Sequence, residues 1–242
     1  MSRNSGHLIT LHFGKRVLWD YSPELSHLFR GFITRFRDDG PPDLFLSVGI
    51  REQEGFFETD GNSCFFREAP AELDFISLLS YWTRNLLARH ARDALVLHAS
   101  ALRTRRGALL MVGPGGSGKT TLVKALCSEG YGFLAEDGAP VNLCDETVSP
   151  AMPMSFLPDE ISGPTRLFRV ISLTYAPGLR ISLTELMGRE AALVLLRENF
   201  NLRATGSRGL EFIAKLSERG IVSLVYPSKE EATEAIRKIA EK

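Results

Sequence analysis

The sequence predicts an α/β protein: a β-rich N-terminal part over residues 1–92, then a core over residues 93–242 built around one glycine-rich loop. Three observations predict it. The first 68 or so residues break into short strand-like runs. From residue 93 onward, strand-like and helix-like runs alternate. Between them lies LLMVGPGGSGKTTLV, Leu109 to Val123, where a buried-type strand meets a helix through four glycines.

The elements follow in order. HLITLHF alternates apolar and polar residues, RGFITRF follows, and DLFLSVGI is bounded by Pro41-Pro42. GFFETDGNSCFFRE reads as a hairpin turning at Asp60-Gly61. A helix is expected over about 71–90, because Phe75, Leu78, Leu79, Trp82 and Leu86 make one apolar stripe. ALVLHASALRTRRGALLMVG then reads as strand, basic turn, strand, with Arg103, Arg105 and Arg106 in a solvated turn. A helix runs from about Gly118 to Ser128, stopped by Gly130. YGFLAEDGAPVNL is strand-like, and SPAMPMSFLPDEISGP is an irregular loop that could serve as a lid over an acceptor. RLFRVISLTY is a strand. Ser182 and Glu185 suggest a capping box ahead of the helix LTELMGREAALVLLREN. GLEFIAKLSERG is helical with a start near Ser207-Arg208, IVSLVYP is a strand, and Ser228 with Glu231 caps a last helix that buries Ala232, Ile236, Ile239 and Ala240.

Composition narrows the function classes. The chain has 242 residues, 44% of them apolar, enough for one large domain or a core with an appended part. Its 29 basic and 29 acidic residues cancel, whereas nucleic-acid binding calls for a basic excess. Cys64, Cys127 and Cys144 are odd in number and widely spaced, so buried reduced thiols are expected rather than a disulfide framework or zinc site. No apolar run reaches the ~18 residues of a membrane span, and MSRNSGHLIT lacks an apolar signal core. These features predict a cytoplasmic protein that binds neither nucleic acid nor membrane. Homo-oligomerisation stays open.

Gly113, Gly118, Lys119 and Thr120 fit G-x-x-x-x-G-K-[ST], with Pro114, Gly115, Gly116 and Ser117 between and Thr121 after. Glycines let the backbone turn its N–H groups toward phosphate oxygens, and the following helix points its positive end at the anion. Lys119 would bridge the β- and γ-phosphates, and the Thr120 hydroxyl would ligate Mg²⁺. The plain alternative is an ordinary glycine-rich turn. The next strand already ends in Glu136-Asp137. A helix and a short turn should return it beside the loop strand, placing both carboxylates near the terminal phosphate and metal. One could ligate Mg²⁺ while the other accepts a proton from an attacking hydroxyl. The competing reading is a solvated turn, since EDG is good turn chemistry. Lys119 itself is expected to be solvated without nucleotide. His98, in LVLHAS, lies on a strand expected to pair with the loop strand. Taken alone, a lone histidine on an apolar strand is more often a satisfied core histidine.

LHASAL, then GALLMVGPGGSGKTTLVKAL, then GYGFLAEDGAPV, over about 96–143, resembles the catalytic core of HPr kinase/phosphorylase and its shorter bacterial relatives. That family is similar in fold to phosphoenolpyruvate carboxykinase. The resemblance implies a P-loop kinase core in which 113–121 bind ATP and Mg²⁺, Thr120, Glu136 and Asp137 serve the metal and the base, and His98 lies close to the phosphates. The chain departs from the HPr enzyme in having Glu-Asp where that enzyme has Asp-Asp, and Thr120 where it has Ser. Its arginine-glycine motif for the reverse reaction has no counterpart, although Arg166 and Arg169 occupy the corresponding region. These departures favour the shorter relatives, which include lasso-peptide kinases that phosphorylate a precursor-peptide serine. The expectation is an ATP-dependent kinase acting on a Ser/Thr hydroxyl of a peptide or protein. The alternatives are a kinase of a small serine-like molecule and a nucleotide-gated binding module without transfer.

Overall fold

The computed structural model describes residues 6–12, 15–23, 39–42, 44–51, 54–59, 62–66, 84, 88–151 and 161–241. The chain divides into two compact units, Met1–Thr83 and Arg84–Lys242.

The first unit holds a five-stranded sheet in simple order: β1 (Gly6–His12), β2 (Lys15–Tyr21), β3 (Leu44–Arg51), β4 (Glu54–Thr59) and β5 (Asn62–Phe66). All neighbours are antiparallel except β2 and β3, which run parallel. Val17 and Trp19 of β2 and Leu46 and Val48 of β3 alternate inward, so period-2 patterning fixes this register. Thr59 pairs with Asn62, which sets the expected hairpin; its turn residues Asp60 and Gly61 lie outside the described residues. Strand β2 was not legible as a strand from sequence. RGFITRF and the apolar stripe from Phe75 to Leu86 fall outside the described residues.

The second unit is a mixed α/β body around a curled nine-stranded sheet. Its strands are β6 (Ala94–Leu97), β7 (Ala99–Thr104), β8 (Gly107–Val112), β9 (Gly132–Ala135), β10 (Ala139–Asn142), β11 (Thr147–Val148), β12 (Thr165–Tyr175), β13 (Ser182–Leu186) and β14 (Ile221–Tyr226). The order is β6-β10-β11-β12-β8-β7-β9, and β14 also pairs with β12 and carries β13 at its outer side. Strands β6 and β7 stand far apart in that order, yet only His98 separates them in the chain. Consecutive Cα atoms sit about 3.8 Å apart, so the sheet must curl to bring these two strands together.

Among the described residues, the unit's sheet is joined by helices α1 (Lys119–Ser128), α2 (Gly188–Arg197), α3 (Leu202–Arg219) and α4 (Lys229–Glu241). Leu122, Val123 and Leu126 of α1 and Ala232, Ala235 and Ile236 of α4 pack with Leu109, Met111, Ile171, Leu173, Leu224 and Tyr226 of the sheet. Strand β8 is buried along nearly its whole length, as a strand flanked on both sides must be. Helix α4 begins as expected, with the Glu231 N–H donating to Ser228 Oγ at 3.3 Å. Helix α3 is broken at Gly206, whose φ of 60° interrupts the helical path just before Ser207.

Several expectations need correction. Ser182 to Leu186 form strand β13 paired with β14, not a capping box; α2 starts only at Gly188, and Met187 at its N-cap makes no side-chain cap. The β-ladder to β14 outweighs the local capping signal. Strand β9 does not lie beside the loop strand, because β7 is inserted between β8 and β9 and runs antiparallel to both. Cys127 is half-buried and Cys144 exposed, so buried thiols do not describe them.

Asn201 ties the start of this unit together. Its Oδ1 accepts from Val96 N at 2.8 Å, and its Nδ2 donates to the carbonyls of Ala91 at 2.9 Å and Ala94 at 2.8 Å. Asn201→Leu leaves these buried backbone groups without their partner. A loss of about 1–3 kcal/mol is expected for a single orphaned group, read as a lower urea midpoint with unchanged slope.

Candidate active site

Because β7 runs antiparallel to β8 and β9, the C-terminal ends of those two strands meet the N-terminal end of β7. Ala99 pairs with Val112, and Ala101 with Ala135. The glycine-rich loop, Glu136-Asp137 and His98 therefore gather at one edge of the sheet. The inserted strand moves the acidic pair one place away from the expected position, and β7 brings His98 into the gap. His98 itself lies at the break between β6 and β7 rather than within a strand, and its N–H donates to the Glu198 carbonyl at 2.6 Å.

The loop leaves β8 at Gly113 and enters α1 at Lys119. Gly113 cannot carry a side chain: a Cβ there would sit 2.8 Å from the Leu173 carbonyl oxygen. At Gly118, whose φ is 82°, a Cβ would collide with the Tyr226 hydroxyl. That hydroxyl donates to the Ser117 carbonyl at 2.6 Å. Burial raises the Tyr226 phenol, which keeps it a donor. Pro114, Gly115 and Gly116 form the exposed crest, with open space where Cβ atoms of the two glycines would stand.

Lys119 is not solvated. It is 6% exposed and curls back over the loop, donating from Nζ to the carbonyls of Gly113 at 2.5 Å and Pro114 at 3.2 Å. Burial lowers its ammonium below the ordinary lysine value, against the raising influence of Asp137 and Glu198. Thr120 and Thr121 sit in the first turn of α1, and the Thr120 hydroxyl donates to Glu136 Oε1 at 2.7 Å. Glu136 is buried at 3% exposure.

Asp137 stands at the centre of a second cluster. Its backbone is left-handed, with a φ of 56°, a conformation that Asp tolerates better than most residues. The carboxylate meets His98 Nε2 at 2.8 Å and pairs with the Arg84 guanidinium, which also donates to the Asp137 carbonyl at 3.0 Å. The other ring nitrogen of His98, Nδ1, faces Glu198 Oε2 at 2.8 Å. Phe200 lies against both side chains, 5.5 Å from the His98 ring and 4.6 Å from the Arg84 guanidinium. Burial by itself would raise the Asp137 carboxyl. The hydrogen bond from His98 and the charges of Arg84, His98 and Lys119 outweigh it and hold the group below its ordinary value. A depressed carboxyl contributes stability above its unfolded pKa and loses it as pH falls through the folded one. Thermal stability should therefore drop on acidification below about pH 4. Asp137→Asn should flatten that part of the curve; an unchanged acid limb would contradict the assignment.

Every residue proposed from sequence in the loop and the acidic pair lies at this edge, together with His98. Arg166 does not. It sits at the opposite end of β12, where its carbonyl lies against Gly107 at the start of β8. Arg169 pairs with Glu185 at 3.3 Å on the surface. Arg103, Arg105 and Arg106 are exposed, but only Arg105 and Arg106 form the turn, Arg103 being a residue of β7. Arg84, Glu198 and Phe200 went unrecognised in the sequence, because they come from segments with no motif and reach the site only through the curl. Residues 152–160 of the proline-rich segment lie outside the described residues.

Two observations bear on whether this edge fits a nucleotide phosphate and a metal. Ser117 Oγ is buried without a hydrogen-bond partner among the described residues. The N-terminus of α1 has no side-chain cap and no acidic residue in its own first turn. Among the described residues no three His, Cys, Asp or Glu side chains converge on a preformed metal cage.

No protein family matches the chain, and no curated protein matches it. Among solved structures, the HPr(Ser) kinase/phosphatase from Coxiella burnetii is a distant likeness, at 12% identity and a TM-score of 0.34, covering 60% of this chain and 93% of that chain. No helix among the described residues is long and apolar enough to cross a membrane.

Proposed function

We propose that this chain is an ATP-dependent kinase that transfers the γ-phosphate to a Ser or Thr hydroxyl of a peptide or protein. The observation that carries this reading is the Thr120–Glu136 hydrogen bond of 2.7 Å beside the separate Asp137 cluster. The two carboxylates have different partners and can take different roles. Thr120 and Glu136 offer adjacent oxygens at the first turn of α1, where Mg²⁺ would be held. Asp137 pairs instead with His98 and Arg84.

The bound MgATP supplies the transferable phosphoryl group and the metal charge that offsets its oxygens. The chain's own residues do the rest. The loop N–H groups and Lys119 hold the phosphates, which requires the Lys119 ammonium to leave the carbonyls of Gly113 and Pro114. Asp137 accepts the hydrogen bond of the acceptor hydroxyl and takes its proton as the O–P bond forms and the bond to the ADP oxygen breaks. A carboxylate held low is a weak resting base. It suits a transition state in which positioning dominates and the proton leaves late. Arg84 and His98 fix its orientation.

The test is incubation of the full chain with γ-labelled ATP and Mg²⁺, offering Ser/Thr peptides, free serine and water as competing acceptors, read by mass spectrometry. Phosphate is expected on a peptide hydroxyl. Phosphate on free serine alone would replace the acceptor class, and phosphate on no acceptor would overturn the kinase reading.

A further inference from the structure

We propose that Tyr175 is the platform on which the nucleotide's base stacks, an inference that rests on the nucleotide reading of the loop and deepens it. Strand β12 is parallel to the loop strand β8 and extends beyond it. Ser172 pairs with Val112, the last residue of β8, and Leu173 to Tyr175 continue past the loop. Side chains alternate along a strand. Ile171 and Leu173 are buried in the core that α1 covers, so Tyr175 projects on the same face, beside the start of α1. Unlike them it is 50% exposed.

Tyr175 is tied to the loop through one neighbour. It pairs in register with Tyr226 of β14, and the two rings sit 5.6 Å apart at 47°. Tyr226 is buried and holds the Ser117 carbonyl from beneath, as described above. Tyr226 thus props the loop, while Tyr175 offers its ring to solvent next to it.

Direction supports the assignment. The Thr120–Glu136 pair and the Asp137 cluster mark the metal and terminal-phosphate end, on the β7–β9 side of β8. A nucleotide whose terminal phosphate points that way carries its sugar and base toward the other side of β8, over the ends of β12 and β14. Ligands of α/β sheets bind outside the carboxyl ends of strands, and Tyr175 is the C-terminal residue of β12. Stacking recognises a ring and not its hydrogen-bonding edge. The platform accordingly favours a nucleobase over none, without selecting adenine from guanine.

The experiment compares ATP with inorganic tripolyphosphate, both with Mg²⁺, by calorimetric titration of the full chain. Tyr175→Ala is expected to weaken ATP about tenfold, which corresponds to ~1.4 kcal/mol and to one base–aromatic stack. Tripolyphosphate should bind the variant as it binds the parent, and Tyr175→Phe should bind ATP normally because only the ring is used. Tyr175→Trp gives a second readout: its fluorescence should respond to ATP and not to tripolyphosphate. Parental ATP affinity in Tyr175→Ala, with tripolyphosphate still bound, overturns the platform and leaves the loop assignment standing. Failure of the parent to bind either ligand overturns both.

Discussion

Lys119→Ala is expected to slow phosphoryl transfer by roughly 10²–10³-fold or more, the cost of losing one preorganised group that stabilises transition-state charge. The lysine's burial changes how this variant should be controlled. The ammonium donates to the Gly113 and Pro114 carbonyls, so truncation also frees the loop crest. Lys119→Met keeps most of the length of the side chain while removing its charge and its donors to those two carbonyls. Burial lowers the Lys119 ammonium, which means that the folded state holds that charge at a cost. The lost donors to the Gly113 and Pro114 carbonyls offset the gain from removing that charge, so the melting temperature of Lys119→Met should stay near parental, while transfer is lost as in Lys119→Ala. Transfer at the parental rate by either folded variant would remove the lysine from the mechanism.

The second large effect separates the two carboxylates. Asp137→Asn should keep nucleotide affinity close to parental and slow the chemical step by roughly 10²–10⁴-fold. Asn tolerates the left-handed backbone of position 137 about as well as Asp, so the turn survives. Glu136→Gln should act on the other partner. Its loss removes a charged oxygen beside Thr120, and the Mg²⁺ concentration needed for half-maximal transfer should rise. Single-turnover transfer with saturating ATP, measured across Mg²⁺ concentrations, distinguishes the two patterns. Identical metal dependence in both variants would contradict the division of roles.

The strand, glycine-rich turn and helix around residues 107–128 were legible because their pattern is local. Strand β8, the glycine-rich turn and helix α1 follow one another in sequence as in space, whereas the groups that bar a side chain at Gly113 and Gly118, the Leu173 carbonyl and the Tyr226 hydroxyl, come from distant strands. The hairpin β7–β8 and the cap at Ser228 were legible for the same reason. The strand order was not. Nothing in GFLAEDG shows that β7 separates β9 from β8, because that placement is decided by long-range pairing. Arg84 from the start of the second unit, and Glu198 and Phe200 from the turn between α2 and α3, converge on Asp137 and His98. Their only signal is the shape of the sheet. Ser182 and Glu185 mislead for the opposite reason: a good local cap loses to a five-residue ladder with β14.

The most direct test of the central claim is a calorimetric titration with ATP, with and without Mg²⁺, of the parent chain, Lys119→Ala and Glu136→Gln. The account predicts one saturable site per chain in the parent, weaker binding in Lys119→Ala, and loss of the Mg²⁺ enhancement in Glu136→Gln. Absence of binding by any nucleoside triphosphate, or binding identical in all three proteins, would contradict it.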